Sequence, residues 1–498
     1  MNLSFSNALG PDVRVRFCPS PTGNPHVGLI RTALFNWAYA KHHGGKFVFR
    51  IEDTDLKRED RDSYRKLLDA MRWLNLEWDE GVEVGGPHGP YRQSERKQIY
   101  DDLIQRLLQS GHLYESYVTA EEMAIRNESL GRDAKQGYDN HERELPEAKR
   151  KLYRDEGRRP ALRLRAPELN LAFEDLVRGD ITFPAAASSD FVVVRADGTP
   201  LYTFVNPVDD ALMKISHVLR GEDLLSSTPR QIAVYMALHE IGFAHAIPRF
   251  AHLPYVMGEG KKKLSKRDPE SDLALLREKG FIREGLLNYL ALLGWSIAPD
   301  NDVFSMPEMV ELFDVTKVNP NPARFDLKKA VSINGDHIRL LSSEDFLSRC
   351  VPFFQRRDLV STPPSEFEEG ILQKISPLVQ PRVSLLSEAV EMMEFLFVSD
   401  DKLVPDDGAR KTLDDKSPVT LKTALTALDP LESWEAGKIE GILRKKLIEE
   451  LGLPPRKAFG PLRTAISGRT VSPPLFESME ALGRLSVLAR LRALHDSI

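Results

Sequence analysis

The stretch at residues 16–29 constrains the fold of this chain most, because it joins a strand pattern to a helix pattern through an irregular loop. The apolar residues Val13, Val15 and Phe17 alternate with the two-residue period of a β-strand. Three prolines and a glycine then exclude regular structure as far as Pro25. A strand, a loop and a helix in immediate succession predict the start of a parallel α/β sheet.

The helix after this loop is predicted to begin beyond His26 and to end at Gly44-Gly45, with its apolar residues at helical spacing between them. A helix that opens directly after a strand presents free backbone N–H groups and the positive end of its dipole, where a polyphosphate can bind. Gly28 has no Cβ, so a nucleotide could lie directly against the backbone. A histidine that merely caps the helix explains the same tripeptide, and His-x-Gly alone does not separate the two interpretations.

Carboxylates follow the second predicted strand, residues 46–51, in the order Glu52, Asp53 and Asp55. Open α/β sheets bind ligands at the C-terminal ends of their strands, which makes these side chains candidates for ligand binding. Carboxylates in this place also cap helices, so both interpretations stay open.

Size and composition describe a globular protein with several domains. The chain has 498 residues, of which 42% are hydrophobic and 29% charged. Its longest apolar stretch, near residues 286–295, is too short to span a bilayer, and the first residues have no leader pattern. We therefore expect a cytoplasmic protein with no membrane partner. Only Cys18 and Cys350 are present, too few for a disulfide framework or a cysteine-rich zinc site.

The net charge of −6 does not exclude a polyanionic partner, because a local basic face is enough to bind phosphates. Basic clusters occur at residues 143–165, 261–267 and 444–446, and each is also explained as a solvated face. The alternating Arg163 and Arg165 would share one face of a strand and could contact phosphates.

The His26 loop and the lysine run at residues 261–267 together resemble the paired nucleotide signatures of class I aminoacyl-tRNA synthetases. Further segments resemble one family of that class, the bacterial-type glutamyl-tRNA synthetases, over nearly the whole chain. These segments are PSPTG at residues 19–23, RTALFNW at 31–37, RIEDTD at 50–55 and YRQSER at 91–96. The first signature ends in Leu29 where many class I enzymes carry histidine, a change that glutamate members tolerate.

The resemblance implies an α/β fold: a class I Rossmann-like parallel sheet split by an inserted α+β domain that binds the acceptor end of tRNA. A stem-contact region and an all-helical anticodon-binding region follow. The patterns agree, with helices at 120–130 and 147–153, strands at 161–165 and 191–194, and almost only helices after residue 342. We expect the catalytic domain at 1–113 and 201–257, the inserted domain at 114–200, the stem-contact region at 258–341 and the helical region at 342–498.

The implied reaction is the ATP-dependent attachment of glutamate to tRNA-Glu through a glutamyl-adenylate. The catalytic residues would be His26, Lys263 and Lys266, which bring a hydrogen bond and two ammonium groups to the phosphate oxygens. Mg²⁺ would be held mainly by ATP. No zinc is expected, because Glu115, Ser116 and Tyr117 stand where some relatives carry a cysteine-rich site. The resemblance assigns ATP binding to Pro19, Thr22, Gly23, His26, Gly28, Lys263 and Lys266.

Specificity for glutamate requires a cation that faces its side-chain carboxylate, and a guanidinium meets a carboxylate with two parallel hydrogen bonds. Arg16 and Arg220 match the family's positions for this role. Glutamine would leave a buried arginine unpaired, which is costly enough to exclude it. The remaining glutamate-binding residues implied by the resemblance are Ser20, Glu52, Tyr202 and Asn206, with Glu52 on the amino group.

Several alternatives stay open from the sequence. A non-discriminating enzyme would also charge tRNA-Gln, and the resemblance implies that Arg382 matches the family's discriminating anticodon arginine. The helical C-terminal third argues against a glutaminyl-tRNA synthetase, because that family has a β-rich anticodon region. A small-metabolite nucleotidyltransferase would leave the same helical third unexplained. A non-catalytic tRNA-binding protein of the same fold could have lost the activity. By resemblance we expect a monomer.

Overall fold

The computed structural model describes residues 12–54, 61–133, 137–185, 189–258, 264 and 268–498. The chain divides into Met1–Ala274 with Leu287–Asp326, here called the α/β unit, and Leu275–Leu286 with Leu327–Ile498, here called the helical unit. Within the described ranges, every helix is too short or too polar to cross a bilayer.

The α/β unit opens with the predicted strand, loop and helix. β1 pairs in parallel with β2, and β2 in parallel with β3. The helix between β1 and β2 ends where predicted, and a Cβ at Gly45 would stand 2.2 Å from the Val13 carbonyl oxygen, so only glycine fits this return to the sheet. The elements are β1 (Arg14–Phe17), α1 (Val27–His42), β2 (Lys46–Phe49), α2 (Arg61–Trp73) and β3 (Glu80–Gly81).

The next segment has the α+β character that the sequence predicts. A three-stranded antiparallel sheet, β4-β5-β8, contains the two predicted strands. The hairpin β6–β7 lies between them in the chain and was not predicted. The elements are α3 (Lys97–Gln109), β4 (Leu113–Ser116), α4 (Ala120–Ser129), α5 (Glu147–Asp155), β5 (Ala161–Leu164), β6 (Leu171–Asp175), β7 (Gly179–Phe183) and β8 (Phe191–Val194).

The second half of the parallel sheet follows. β9 pairs in parallel with β10, and β6 pairs with the other edge of β10, which gives the order β7-β6-β10-β9. Ser216 joins β9 to β1, since its Oγ accepts from the Arg14 N–H at 2.7 Å and its N–H donates to the Arg14 carbonyl at 2.9 Å. The elements are α6 (Tyr202–Leu212), β9 (His217–Gly221), α7 (Thr228–Glu240), β10 (Arg249–Leu253), β11 (Val256–Met257), α8 (Leu273–Glu278), α9 (Arg283–Leu292), α10 (Met306–Leu312) and β12 (Ala323–Arg324).

The helical unit confirms the prediction of an all-helical C-terminal region: residues 327–498 are all described and contain no strand. Its core is built from side chains such as Phe346, Phe354, Leu421 and Leu491. A π-helical segment, Arg444–Glu450, continues α17. The helices are α11 (Leu327–Leu340), α12 (Ser343–Gln355), α13 (Glu366–Val379), α14 (Leu386–Met393), α15 (Asp407–Arg410), α16 (Ser417–Leu428), α17 (Ala436–Leu443), α18 (Pro455–Ser467), α19 (Leu475–Leu482) and α20 (Arg484–Asp496).

Candidate active site

A cavity of about 530 Å³ opens in the α/β unit at the C-terminal ends of β1, β9 and β10. The first turn of α1 forms part of its wall, and so does the start of α6. This edge of a parallel sheet is where open α/β folds bind their ligands, and the volume suits a small molecule.

The cavity brings together half of the residues that the sequence singled out. Ser20, Thr22 and Gly23 belong to the loop between β1 and α1 but not to the cavity wall. Lys263 and Lys266 lie outside the described residues, whereas Leu264 between them lines the cavity, and its N–H donates to the Val256 carbonyl at 3.0 Å. The predicted residues on the wall are Arg16, Pro19, His26, Gly28, Glu52, Tyr202 and Arg220.

His26 caps α1 and also lines the cavity, so the two interpretations of this residue hold together. Its Nδ1 accepts a hydrogen bond from the Leu29 N–H at 3.3 Å. A ring nitrogen that accepts carries no proton, so the proton of the neutral imidazole lies on Nε2, where it can be donated. A Cβ at residue 28 would stand 3.3 Å from Nδ1, so Gly28 leaves room for this orientation of the ring.

Backbone hydrogen bonds place Glu52 beside the loop. The Glu52 N–H donates to the Pro19 carbonyl at 3.0 Å, and the Arg50 N–H donates to the Phe17 carbonyl at 3.0 Å. Of the predicted carboxylates, Glu52 lines the cavity, whereas Asp53 accepts from the N–H and hydroxyl of Ser94 at 2.8 and 2.7 Å. Asp55 lies outside the described residues.

Burial raises the pKa of Glu52 to about 7, although the nearby Arg50 and Arg16 act in the opposite direction. Asn206 does not line the cavity but donates its side-chain N–H to Glu52 Oε1. Glu52 is therefore a carboxylate that a cationic ligand group can recruit into the ionised form near neutral pH.

Helix α6 carries a polar face that the sequence reasoning did not recognise. Tyr202, Asn206, Asp209 and Asp210 follow at intervals of four, three and one residues, which places them along one side of a helix. This spacing was the available signal. Asp209, whose side chain is 0% exposed, accepts from three buried donors and so anchors α6. These donors are Arg96 Nε at 2.7 Å, Gln93 Nε2 at 2.9 Å and Tyr100 Oη at 2.9 Å.

The two predicted arginines differ in their partners. Arg16 Nε contacts Asp210 Oδ2 at 3.3 Å, and Asp210 also accepts from Arg50 Nη1 at 2.9 Å. Burial works to raise the pKa of Asp210, but these arginines outweigh it and hold the pKa below its usual value. The charge of Arg16 is therefore balanced inside the protein.

Arg220 is buried on the cavity wall, and no carboxylate among the described residues forms an ion pair with it. Burial lowers the pKa of this guanidinium. A buried cation with neutral partners favours a ligand that brings a negative charge. Its acceptors are His252 Nε2 at 3.1 Å, Gln231 Oε1 at 2.6 Å, Thr228 Oγ1 at 2.9 Å, the Leu224 carbonyl at 3.4 Å and Tyr202 Oη at 3.5 Å.

Two further predicted groups have structural partners. Arg163 is buried and donates to Ser116 Oγ at 2.9 Å, and its guanidinium lies 3.7 Å from the centre of the Tyr138 ring. Arg163 therefore has structural partners and is only 8% exposed, and its contact with phosphate stays a prediction. Arg382, in the helical unit, donates to the Ser472 carbonyl at 3.2 Å. No group of three His, Cys, Asp or Glu side chains that could hold a metal ion occurs in the described part of the chain.

Comparisons with known proteins match both units. Residues 12–331 match the family model of the catalytic domain of class I tRNA synthetases (E and Q), and residues 345–495 match an anticodon-binding domain. The glutamate–tRNA ligase of Clavibacter sepedonicus is 61% identical, over 98% of this chain and 96% of its own length. The glutamate–tRNA ligase of Mycolicibacterium smegmatis is 57% identical, over 98% and 99%.

Solved structures agree over the same length. The crystal structure of a glutamate tRNA ligase from Elizabethkingia meningosepticum, in complex with its amino acid, has a TM-score of 0.85 at 32% identity and covers 98% of this chain and 99% of that one. A glutamate-tRNA synthetase from Elizabethkingia anophelis has a TM-score of 0.83 at 32% identity, over 97% and 100%. The chain belongs to the glutamate–tRNA ligases, within the class I tRNA synthetases.

Proposed function

We propose that this chain attaches glutamate to tRNA at the expense of ATP, and that the cavity of the α/β unit is where both chemical steps occur. The observation that carries the proposal is the buried Arg220, held by neutral acceptors on the wall of a cavity that also contains Glu52 and His26. One guanidinium, one carboxylate and one hydrogen-bond donor match the three charged parts of the reactants: a side-chain carboxylate, an ammonium group and a triphosphate.

Glutamate is recognised by opposite charges in this proposal. Arg220 pairs with the side-chain carboxylate, and Glu52 pairs with the ammonium group. Tyr202 and Ser20 supply neutral hydrogen bonds, and Asn206 holds Glu52. Arg16, whose charge Asp210 balances, shapes the wall rather than supplying the main charge. Glutamine would leave Arg220 buried without an anion, which gives the site its selectivity.

In the first step the α-carboxylate oxygen attacks the α-phosphorus of ATP, the bond to the β-phosphate breaks, and pyrophosphate leaves. His26 donates from Nε2 to the phosphate oxygens, with the N-terminus of α1 behind it. Pro19, Thr22, Gly23 and Gly28 form the surrounding loop and turn. Lys263 and Lys266 neutralise the triphosphate, and the position of Leu264 on the cavity wall supports that assignment.

In the second step a ribose hydroxyl of the terminal adenosine of tRNA takes the acyl group, and AMP leaves. The family uses ATP as its substrate, generally with Mg²⁺. Because no acidic cluster among the described residues offers a cage for a metal, Mg²⁺ would arrive on the phosphates of ATP and add positive charge there. We propose that the enzyme holds no zinc.

The wider assignments follow the same proposal. Residues 1–113 and 201–257 form the catalytic domain, 114–200 bind the acceptor end, 258–341 contact the stem, and 342–498 bind the anticodon. Arg382 reads the anticodon position that separates tRNA-Glu from tRNA-Gln. The enzyme acts as a cytoplasmic monomer.

The test is ATP–pyrophosphate exchange with glutamate and with glutamine, each with and without purified tRNA-Glu. Exchange with glutamate and tRNA together, and not with glutamine, is the expected result. Exchange with glutamine in place of glutamate would contradict the role of Arg220. No exchange under any condition, with tRNA still bound, would favour the non-catalytic tRNA-binding protein. Charging of purified tRNA-Gln with glutamate would identify the non-discriminating form.

A further inference from the structure

A chain of three buried side chains runs from the cavity wall into the sheet. Arg220 Nε on β9 contacts His252 Nε2 on β10 at 3.1 Å, and His252 Nδ1 contacts Asp175 Oδ2 on β6 at 2.6 Å. Arg220, His252 and Asp175 are 4%, 0% and 1% exposed. The chain thus crosses three neighbouring strands, and only its Arg220 end belongs to the cavity wall.

The chemistry of the donors determines where the protons lie. A guanidinium has no acceptor, so Arg220 must donate and His252 Nε2 must accept through its lone pair. The single proton of the neutral imidazole is then on Nδ1, from which it is donated to Asp175. Burial lowers the pKa of His252, against the effect of Asp175, which agrees with a neutral ring.

Asp175 is itself held in place by the backbone. It accepts the N–H groups of Val177 and Arg178, both at 3.0 Å, in the turn between β6 and β7. It also accepts the backbone N–H of His252 at 3.2 Å, so the strand and the ring of His252 are bound to the same carboxylate. The His252 ring therefore cannot rotate without losing its hydrogen bond to this fixed carboxylate.

We propose that His252, oriented by Asp175, is a positioning residue that aims the Arg220 guanidinium at the side-chain carboxylate of glutamate; this rests on the proposed function of the cavity. A neutral acceptor is suited to the role because it fixes Nε without balancing the charge, whereas a carboxylate in its place would compete with the substrate. Gln231 and Thr228 hold the other two nitrogens in the same way. The planar fork is therefore fixed at each nitrogen while its charge stays available.

The competing explanation is that the pair His252–Asp175 only ties the hairpin β6–β7 to β10. The two explanations predict different effects on stability and substrate binding when the acceptor of Arg220 Nε, His252 Nε2, is removed. A structural tie lowers thermal stability and affects both substrates alike, whereas a positioning residue changes the interaction with glutamate and leaves that with ATP intact.

The experiment compares His252→Leu, which removes the contacts of the ring with Arg220, Thr228 and Asp175, with His252→Gln, whose side-chain carbonyl can accept from Arg220 Nε. The control is His217→Leu, a half-buried histidine at the start of β9 that is outside the cavity wall and whose pKa is lowered to about 4 by desolvation. For each variant, the KM values for glutamate and ATP are measured in the tRNA-dependent exchange reaction, together with Tm.

Since one hydrogen bond to a charged group corresponds to about 10- to 100-fold in binding, we expect His252→Leu to raise the KM for glutamate by that factor. The KM for ATP should stay within about twofold, because no contact to the phosphates is removed. His252→Gln should recover much of the loss, and His217→Leu should leave both KM values unchanged.

An unchanged KM for glutamate in folded His252→Leu would overturn the proposal, and so would a parallel rise in both KM values without rescue by His252→Gln. If neither His252 variant folds, the pair is structural and the positioning role is likewise overturned. Failure of the wild-type enzyme to exchange with glutamate would instead contradict the proposed function, so the two failures are distinguishable.

Discussion

Arg220 Nη1 donates to Gln231 Oε1 at 2.6 Å, so a buried guanidinium is held by a neutral amide rather than by a carboxylate. The arrangement keeps the positive charge available to a ligand, whereas Arg16 already faces Asp210. Of the two arginines predicted to bind glutamate, Arg16 is thus balanced by a carboxylate and Arg220 is not, and this difference gives rise to the first prediction.

Arg220→Lys should raise the KM for glutamate by about 100-fold, because an ammonium group cannot form the two parallel hydrogen bonds of the fork. The KM for ATP should change little. Steady-state exchange kinetics at varied glutamate and ATP measure both values. The control is Arg249→Lys, because Arg249 lies at the N-terminal end of β10 and is not part of the cavity wall. An equal rise in both KM values would argue against a specific contact with glutamate.

Glutamate binding should weaken as the pH falls below about 7, since burial raises the pKa of Glu52 to about 7 and the protonated carboxyl no longer attracts an ammonium group. Glu52→Gln should bind glutamate weakly at every pH and lose this dependence. The KM for glutamate across the neutral range measures the effect. A steeper pH dependence in Glu52→Gln than in the wild type would contradict the assignment.

The raised pKa of Glu52 also predicts a change in stability with a definite sign. The folded state binds the proton more tightly than the unfolded state, so the contribution of this group is present below about pH 4.5 and is lost as the pH rises through about 7. The Tm of Glu52→Gln relative to wild type should therefore increase from about pH 5 to about pH 8. Scanning calorimetry at matched ionic strength tests the trend, and a difference that decreases with pH would refute it.

His26→Ala should lower kcat for exchange by about 100- to 1,000-fold, the usual loss when one donor to a developing oxyanion is removed. The KM for glutamate should stay close to its wild-type value, because Nε2 faces the nucleotide in the proposal. Removal of the cap costs helix α1 only about 1 kcal/mol, which circular dichroism can verify. A normal kcat would remove His26 from the mechanism.

Lys266→Ala should abolish pyrophosphate exchange while tRNA affinity stays within a few-fold of wild type, since one ammonium group at the triphosphate contributes little to a large RNA interface. Filter binding of tRNA-Glu and the exchange assay are run on the same preparation. Exchange at the wild-type rate would exclude Lys266 as a catalytic residue.

Asp209→Asn should lower the free energy of unfolding of the α/β unit by about 3–5 kcal/mol, because it removes the negative charge with which the buried Arg96 pairs at 2.7 Å. The urea midpoint followed by tryptophan fluorescence measures this loss. Asp101→Asn is the control, since Asp101 pairs with Lys97 on the exposed surface and should leave the midpoint unchanged. Equal midpoints for the two variants would contradict the anchoring role of Asp209.

Much of the cavity was predictable because its residues lie next to strong local signals. The local signals are the prolines after β1, the glycine at position 28 and the helical spacing after His26, each of which acts over a few residues. The observed loop and helix α1 lie at the positions that these signals predict. The polar face of α6 was also readable from its spacing, but the pattern at Tyr202, Asn206 and Asp209 was not recognised as helical.

The sequence by itself determined the class of fold, the succession of the first strand, loop and helix, and the helical C-terminal region, because periodicity and turn residues need no distant partner. Tertiary structure alone decided that Arg16 is paired and that Arg220 is not. The partner of Arg16 lies 194 residues away in the chain, and His252 and Asp175 are 77 residues apart. Charge balance in a buried site depends on which side chains the folded strands bring together, and no local pattern records that choice.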